Sequence, residues 1–399
     1  MKKIKVGIFG VGARGRSLIE PIMMLNCDIV AICESKERQG EIDKALEMCG
    51  KNVAVYHDFD EFLNHGFDAV ILANYFHEHT PYAIRCFEKG VHVYSECIAN
   101  STMAEGVALI RAFEKSKSIY MLAENYPQML FNLEIQRVVK GGTLGKILYA
   151  EGEYNHPVSP SDTKFRQTYV YFDNHWRNFT PGTYYVTHSL GPLMRATGAT
   201  PKKVSVFECL AQYDEQAKAD LGNRPTAIIT TQNDDGSIFR FTGCSKFGGQ
   251  HNAYRVCGTR GQIENMRSDI AEILLRYNSW NVPEGMETIN RYIPEWTDKD
   301  KDLIEKSGHG GSDFVTLRMF FNCVREGKQP ERPFDVYSAV SMSSVAILGH
   351  RSMLNGGQPI EIPDFTKEEQ REKYENDNLT PYYGADGSKP TVPVTSKID

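Results

Sequence analysis

An apolar run, "KIKVGIFG", passes into "GVGARG" (Gly10 to Gly15) and then into a helix-forming segment at 14–25. Strand, glycine turn and helix in that order restrict the chain to few folds. Gly10 suits the tight turn, Gly12 the close approach of a pyrophosphate, and Gly15 the packing of helix on strand. Ala13 and Arg14 complete the turn, and the helix start offers unpaired N–H groups and positive potential to phosphates. Nineteen residues after Gly15, at the end of the next apolar run "DIVAIC", stands Glu34. An acid there accepts from a ribose diol and repels a 2′-phosphate, which favours NAD over NADP. Arg38 stands close enough to weaken that preference.

The same rhythm continues through "DAVILAN", "HVYSE" and "IYMLAEN", with helix-like segments at 36–49, 79–89 and 102–116 between them. Continuous apolar strands alternating with amphipathic helices predict a parallel sheet covered on both faces. After Asn125 the pattern changes. A helix at 128–140 ends at "GGTLGK", and longer alternating strands follow, from "ILYAEGEYNH" to "EILLRYN". These predict a large, mostly antiparallel sheet, with helices near 183–198, 312–326 and 335–354 covering one face. The expected fold class is therefore α/β plus α+β. Its divisions are a Rossmann dinucleotide-binding domain at 1–125, a substrate and oligomerisation domain at 126–365, and a polar tail at 366–399.

Charge and cysteine content narrow the partners. A net charge of −6 argues against nucleic acid or an anionic membrane, and no apolar run approaches the length of a membrane helix. "MKKIKVGIFGVG" enters the first strand directly and lacks a signal-peptide pattern. Nine scattered cysteines, with no CxxC pair, suit a reducing, cytoplasmic setting. His77 and His79 have the spacing of a metal pair without an evident third ligand, so no metal is expected.

"HVYSECIAN" (92–100) places an acid and a thiol at a strand end. Its meaning emerges from several segments taken together: "GVGARG", "ANYFHEHTPYAIRCFEKGVHVYSE", "GKILYAEGEY", "THSLGPL" and "VCGTRGQIE". Over about residues 1–360 the chain resembles the Gfo/Idh/MocA family of glucose–fructose oxidoreductase and inositol dehydrogenase type. Most members of that family end this strand in Glu-Lys-Pro, and the lysine serves the sugar hydroxyl that loses a hydride. Here the three positions are Glu96, Cys97 and Ile98. A thiol does not replace an ammonium at a developing alkoxide, so Cys97 reads as a packing residue. "EGEYNH", "WRN", "YYVTHSLGPL" and "GHGGSD" further resemble the NAD-dependent glycosidase branch, of α-N-acetylgalactosaminidase type, which also lacks the lysine.

The resemblance implies a reaction: transient oxidation at sugar C3, deprotonation at C2, elimination of the aglycone and addition of water, with NAD regenerated. Such enzymes depart from the paired-carboxylate scheme of glycoside hydrolysis. Tyr185 and His188, three apart on an expected helix, share a face. The resemblance assigns His188 to the C3 hydroxyl and Tyr185 to C2 or its enolate, with Tyr154 a second candidate base and Arg177 on enolate charge or a cofactor phosphate. His156, Trp176, Thr187 and His309 are the expected substrate residues; His309 fits a glycine turn before the helix from Ser312 equally well. Asn74 and His79 are expected at the nicotinamide end, with Glu96 and Asn125 at neighbouring strand ends. Pro192, four residues after His188, cannot donate to the His188 carbonyl, so a kink is expected there. Two other readings stay open: a sugar or inositol dehydrogenase releasing NADH, and a non-catalytic NAD-binding sensor. A carbohydrate or glycoside substrate and a homo-oligomer, dimer or tetramer, are expected.

Overall fold

Ile4–Phe9 (β1) begins a six-stranded sheet with Cys27–Cys33 (β2), Ala54–Tyr56 (β3), Ala69–Leu72 (β4), His92–Ser95 (β5) and Tyr120–Leu122 (β6). The computed structural model describes residues 3–170, 172–221 and 226–396. The strand order is β3-β2-β1-β4-β5-β6, and every pair is parallel. The order reverses between β1 and β4, which opens the crevice where ligands bind in such sheets. β4, β5 and β6 are almost wholly buried, which is why their sequences are apolar without alternation.

This sheet belongs to a unit made of Met1–Asn125, Asp300–Val340 and Arg371–Asn378. The chain returns to it late because the returning segment has apolar groups to bury. Leu317, Phe320 and Phe321, on the helix Ser312–Glu326, share one core with Val6, Ile8 and Ile32. Residues 371–378 join through Arg371, whose guanidinium grips Glu114 with bonds of 2.6 and 2.7 Å. Part of the expected tail is thus fixed structure.

The second unit comprises Tyr126–Lys299, Ser341–Gln370 and Leu379–Asp399. Its strands are Ile147–Asn155 (β7), Pro201–Glu208 (β8), Ala227–Asn233 (β9), Ile238–Ser245 (β10), His251–Gly258 (β11), Gly261–Asn265 (β12), Ile273–Tyr277 (β13), Ile289–Tyr292 (β14) and Ile360–Glu361 (β15). Their order is β14-β13-β12-β11-β7-β10-β9-β8-β15. All pairs are antiparallel except β7 with β10, so the mostly antiparallel expectation holds.

The helix Thr187–Thr197 lies flush on the middle of this sheet, admitted by Gly152, while Gly243 admits the segment that leads into it. A Cβ on Gly152 of β7 would meet the Ser189 carbonyl oxygen at 2.2 Å. One on Gly243 of β10 would meet the Gly182 carbonyl oxygen at 2.0 Å. Ser189 Oγ adds a hydrogen bond to the Thr242 carbonyl. Period-2 alternation then sorts β7: Ala150, Gly152 and Tyr154 share one face, while Glu151 and Glu153 point to the other. There they meet Arg240, Arg255, Arg267 and His251.

The Gly152→Ala variant must push helix from sheet. It should lose at least about 2 kcal/mol of stability, as over-packed cores do, and chemical denaturation with a probe in the second unit measures this.

Candidate active site

In the first unit, the turn after β1 fits a dinucleotide phosphate by its own packing. Gly10 has φ of 88°, in the left-handed region, and its missing Cβ would lie 2.5 Å from the Ala73 carbonyl oxygen. A Cβ on Gly15 would sit 1.9 Å from the Gly10 carbonyl oxygen. Any side chain at either position would fill the cradle. At Gly12 the nearest atom is instead a mobile one, Nη2 of Arg38 at 3.2 Å. Glu34 directly follows β2, with Oε2 accepting from the Val11 backbone N–H at 3.0 Å and from Arg38 at 3.1 Å. The acid expected at the ribose thus also ties the glycine turn to β2.

The phosphate-loop residue Arg14 does more than line the turn. Its Nε donates to Glu96 at 2.8 Å and its Nη1 to Asp313 at 2.9 Å. Asp313, fully buried, also accepts from Asn125 Nδ2 at 2.7 Å and holds His309 Nδ1 at 2.8 Å. Burial alone would raise the Asp313 carboxyl, but Arg14, His309 and Asn125 outweigh it and hold it well below the usual carboxylate range. Three expected residues (Arg14, Asn125 and His309) therefore converge on one acid, Asp313, and a fourth, Glu96, joins them through Arg14. The helix dipole at Ser312 is a secondary effect beside three direct bonds.

Asn74 and His79 follow β4. Asn74 Nδ2 reaches the Glu78 carbonyl at 3.4 Å. His79 is buried, with Nδ1 hydrogen-bonded to the Ile98 carbonyl at 2.8 Å, and burial pushes its pKa down to about 4. Through this bond it braces the loop after β5. Nearby, burial and then Glu105 push Glu78 up to about 7. Cys97 is more than a filler: its thiol donates to the buried Glu124 carboxylate at 3.2 Å. Glu124 escaped motif reading because one acid at a strand end, beside Asn125, has no spacing signature.

In the second unit, His188 stands among three tyrosines. Its ring stacks on Tyr126 at 4.0 Å and 15°, and meets Tyr154 at 4.9 Å and Tyr185 at 5.0 Å edge-on. Tyr154 in turn stacks on Tyr185 at 6.0 Å and on His156 at 5.8 Å. Burial, with Cys244, Tyr126 and Tyr185 beside it, pushes the Tyr154 phenol well above the ordinary tyrosine range. Such a phenol stays neutral and donates; it is a poor base.

The helix begins at Thr187, so Tyr185 precedes it and the shared helical face expected for the pair is replaced by a turn. The cause is local. Pro181 accepts from the Tyr184 N–H, and the Gly182 carbonyl is committed to its contact at Gly243. Thr187 is buried at the first helical position. The carbonyl that Pro192 strands is not left open, because Tyr254 Oη donates to it at 2.6 Å. Tyr254 had no sequence signal, since its partner is a backbone atom 66 residues away.

Arg177 and Trp176 form a separate group. The guanidinium lies 4.4 Å from the Trp176 ring centroid and 5.3 Å from that of Tyr169.

Residues 4–124 match the model of the oxidoreductase family with NAD-binding Rossmann fold, Gfo/Idh/MocA. Residues 210–372 match the glycosyl hydrolase 109 C-terminal domain. An alpha-N-acetylgalactosaminidase of Shewanella oneidensis is 27% identical over 401 residues, covering 92% of this chain and 86% of that protein. A glycosyl hydrolase family 109 protein of Akkermansia muciniphila is 27% identical, covering 92% and 83%. Among solved structures, levoglucosan dehydrogenase with NADH and L-sorbose superposes with a TM-score of 0.75 at 15% identity, covering 91% of this chain and all of that one. The myo-inositol 2-dehydrogenase of Lactobacillus plantarum gives 0.68 at 16%, covering 90% and 100%. These structures share the fold.

Two outcomes follow from the geometry. Tyr254→Phe removes the donor to the His188 carbonyl and should cost about 1 kcal/mol, read from denaturant midpoints. The folded pKa of His79 lies below its unfolded value, so the native state binds fewer protons between about pH 4 and 6.5. As pH falls through that window, wild type should lose stability relative to His79→Gln by up to about 1.4 kcal/mol per pH unit. Parallel denaturation curves at pH 7 and 4.5 would test the sign.

Proposed function

We propose, from the premise that this chain belongs to the Gfo/Idh/MocA family through its NAD-binding domain and to glycosyl hydrolase family 109 through its C-terminal one, that it hydrolyses a glycosidic bond with NAD as a recycled cofactor. The observation that carries the reading is the His188–Tyr126–Tyr154–Tyr185 cluster of the second unit, together with cysteine and not lysine at position 97 of the first. An α-linked N-acetylgalactosaminide is the first substrate to try, because the Shewanella relative is named for that activity.

The glycine turn, Arg14, Glu34 and Asn125 are the residues to hold the cofactor. Bound NAD supplies the reversible oxidation that turns a ring hydroxyl into a carbonyl and acidifies the neighbouring C–H. His188 takes the proton of that hydroxyl and later returns it, the exchange histidine suits best near neutrality. Tyr154, held neutral, donates to the oxygen on which enolate charge develops. Tyr185 moves the proton at C2. The aglycone then leaves C1, and water adds in its place. His156, stacked on Tyr154, and the Trp176–Arg177 pair are positioned to contact sugar and aglycone.

A dehydrogenase that releases NADH is the second reading, favoured by the fold shared with sugar dehydrogenases. The thiol at position 97, bonded to Glu124, weighs against it. A homo-oligomer is supported by the second face of the nine-stranded sheet, where Arg240 and Arg267 are partly exposed beside Glu153. A cytoplasmic setting is supported by nine cysteines that form no disulfide; no described helix is long and apolar enough to cross a membrane.

Incubation with NAD and nitrophenyl glycosides in D₂O should place deuterium at C2 of the released sugar without net NADH. Stoichiometric NADH would instead establish the dehydrogenase. His188→Ala should lower kcat by about 10²- to 10⁴-fold while NAD binding, followed by fluorescence titration, stays unchanged.

A further inference from the structure

We propose that residues 379–396 are a positioning strap for the segment 176–185, which carries Trp176, Arg177 and Tyr185. The inference rests on the glycosidase reading for its rate effect, but not for its structural one. The polar sequence after Leu379 is closed into a loop by the Thr391 N–H bond to the Thr380 carbonyl at 2.8 Å and the Thr380 N–H bond to Thr391 Oγ1 at 2.8 Å. From this loop two adjacent tyrosines reach the segment. Tyr382, 1% exposed, meets the Tyr184 ring edge-on at 5.5 Å. Tyr383 meets Phe179 at 4.9 Å. Thr180 Oγ1 in turn donates to the Trp176 carbonyl at 3.0 Å.

The strap is pinned beyond these contacts. The His350 ring lies against the backbone at Pro393 and Val394, and the same ring packs on Tyr184 edge-on at 5.7 Å. At the far end the Ser396 N–H donates to Glu208 Oε2 at 2.8 Å, on β8. Tyr184 is therefore clasped between His350 and Tyr382, one residue from Tyr185. The segment 176–185 contains only a single 3₁₀ turn, Trp176–Asn178, and so has little backbone ladder of its own to fix it. Burying Tyr382 and Tyr184 supplies the order that secondary structure does not.

Tyr382 and Tyr383 act through their neighbours, so they are positioning residues. The test uses the full chain with NAD and compares Tyr382→Ala, Tyr382→Phe and Tyr383→Ala by deuterium exchange, kcat, KM and NAD affinity. Tyr382→Ala should speed exchange at 176–185 specifically and lower kcat roughly 10- to 100-fold, the scale of a misplaced reactive group, with NAD affinity unchanged. Tyr382→Phe keeps the ring and should recover most of the rate. Unchanged exchange in that segment, or a general speeding accompanied by lost NAD affinity, would overturn the strap. Should Tyr382→Ala fail to fold, Tyr383→Ala decides the same question from the half-buried contact with Phe179. If wild type cleaves no glycoside, the functional reading fails while the exchange comparison still decides the strap.

Discussion

The buried carboxylate of Asp313 governs the first unit. A charge taken out of water is tolerable only if it is fully paired and hydrogen-bonded, and this one is bonded to Arg14, Asn125 and His309. The partners come from the glycine turn, the end of the sixth strand and the turn before Ser312, so one acid fixes segments up to 299 residues apart. Arg14 gains a second anchor in Glu96. The phosphate loop is thereby held rigid from its own interior, and the late-returning helix Ser312–Glu326 is required for that rigidity.

Rigidity in the second unit has another origin. There the helix Thr187–Thr197 approaches the strand beneath it at backbone contact distance through Gly152, and the segment before the helix does so through Gly243. The gain is positional: Tyr154 follows Gly152 by two residues, so the strand that admits the helix also presents its phenol to His188. The proline that breaks the helix ladder is compensated by Tyr254, and the ring of His188 is thus supported from both its side chain and its carbonyl. The cluster sets two imidazoles, His188 and His156, among three phenols.

Much of this was legible in the chain. Continuous apolar runs and "GVGARG" specify the parallel sheet because they report on local physics, strand burial and backbone conformation. The alternation in "EGEYNH" likewise places Tyr154 and Glu153 on opposite faces. The illegible parts are those set by long-range partners. Asp313 reads as a helix-start acid until Arg14 is beside it. Tyr185 reads as helical until the Gly182 carbonyl is seen committed to Gly243. Residues 300–340 and 371–378 belong with the first unit because of phenylalanines and an Arg371–Glu114 pair whose targets lie hundreds of residues upstream. Tyr126 and Tyr254, which complete the setting of His188, have no motif at all.

The strand Ile147–Asn155 works on two surfaces at once, with phenol and imidazole chemistry above it and a lattice of carboxylates and guanidiniums below. Adding or deleting a single residue before Ala150 would swap the two sets, bringing Glu153 under the helix and turning Tyr154 outward. Drift in this protein should therefore tolerate exchanges of residue far better than changes of length in that strand, while insertions accumulate in the loops that leave its ends.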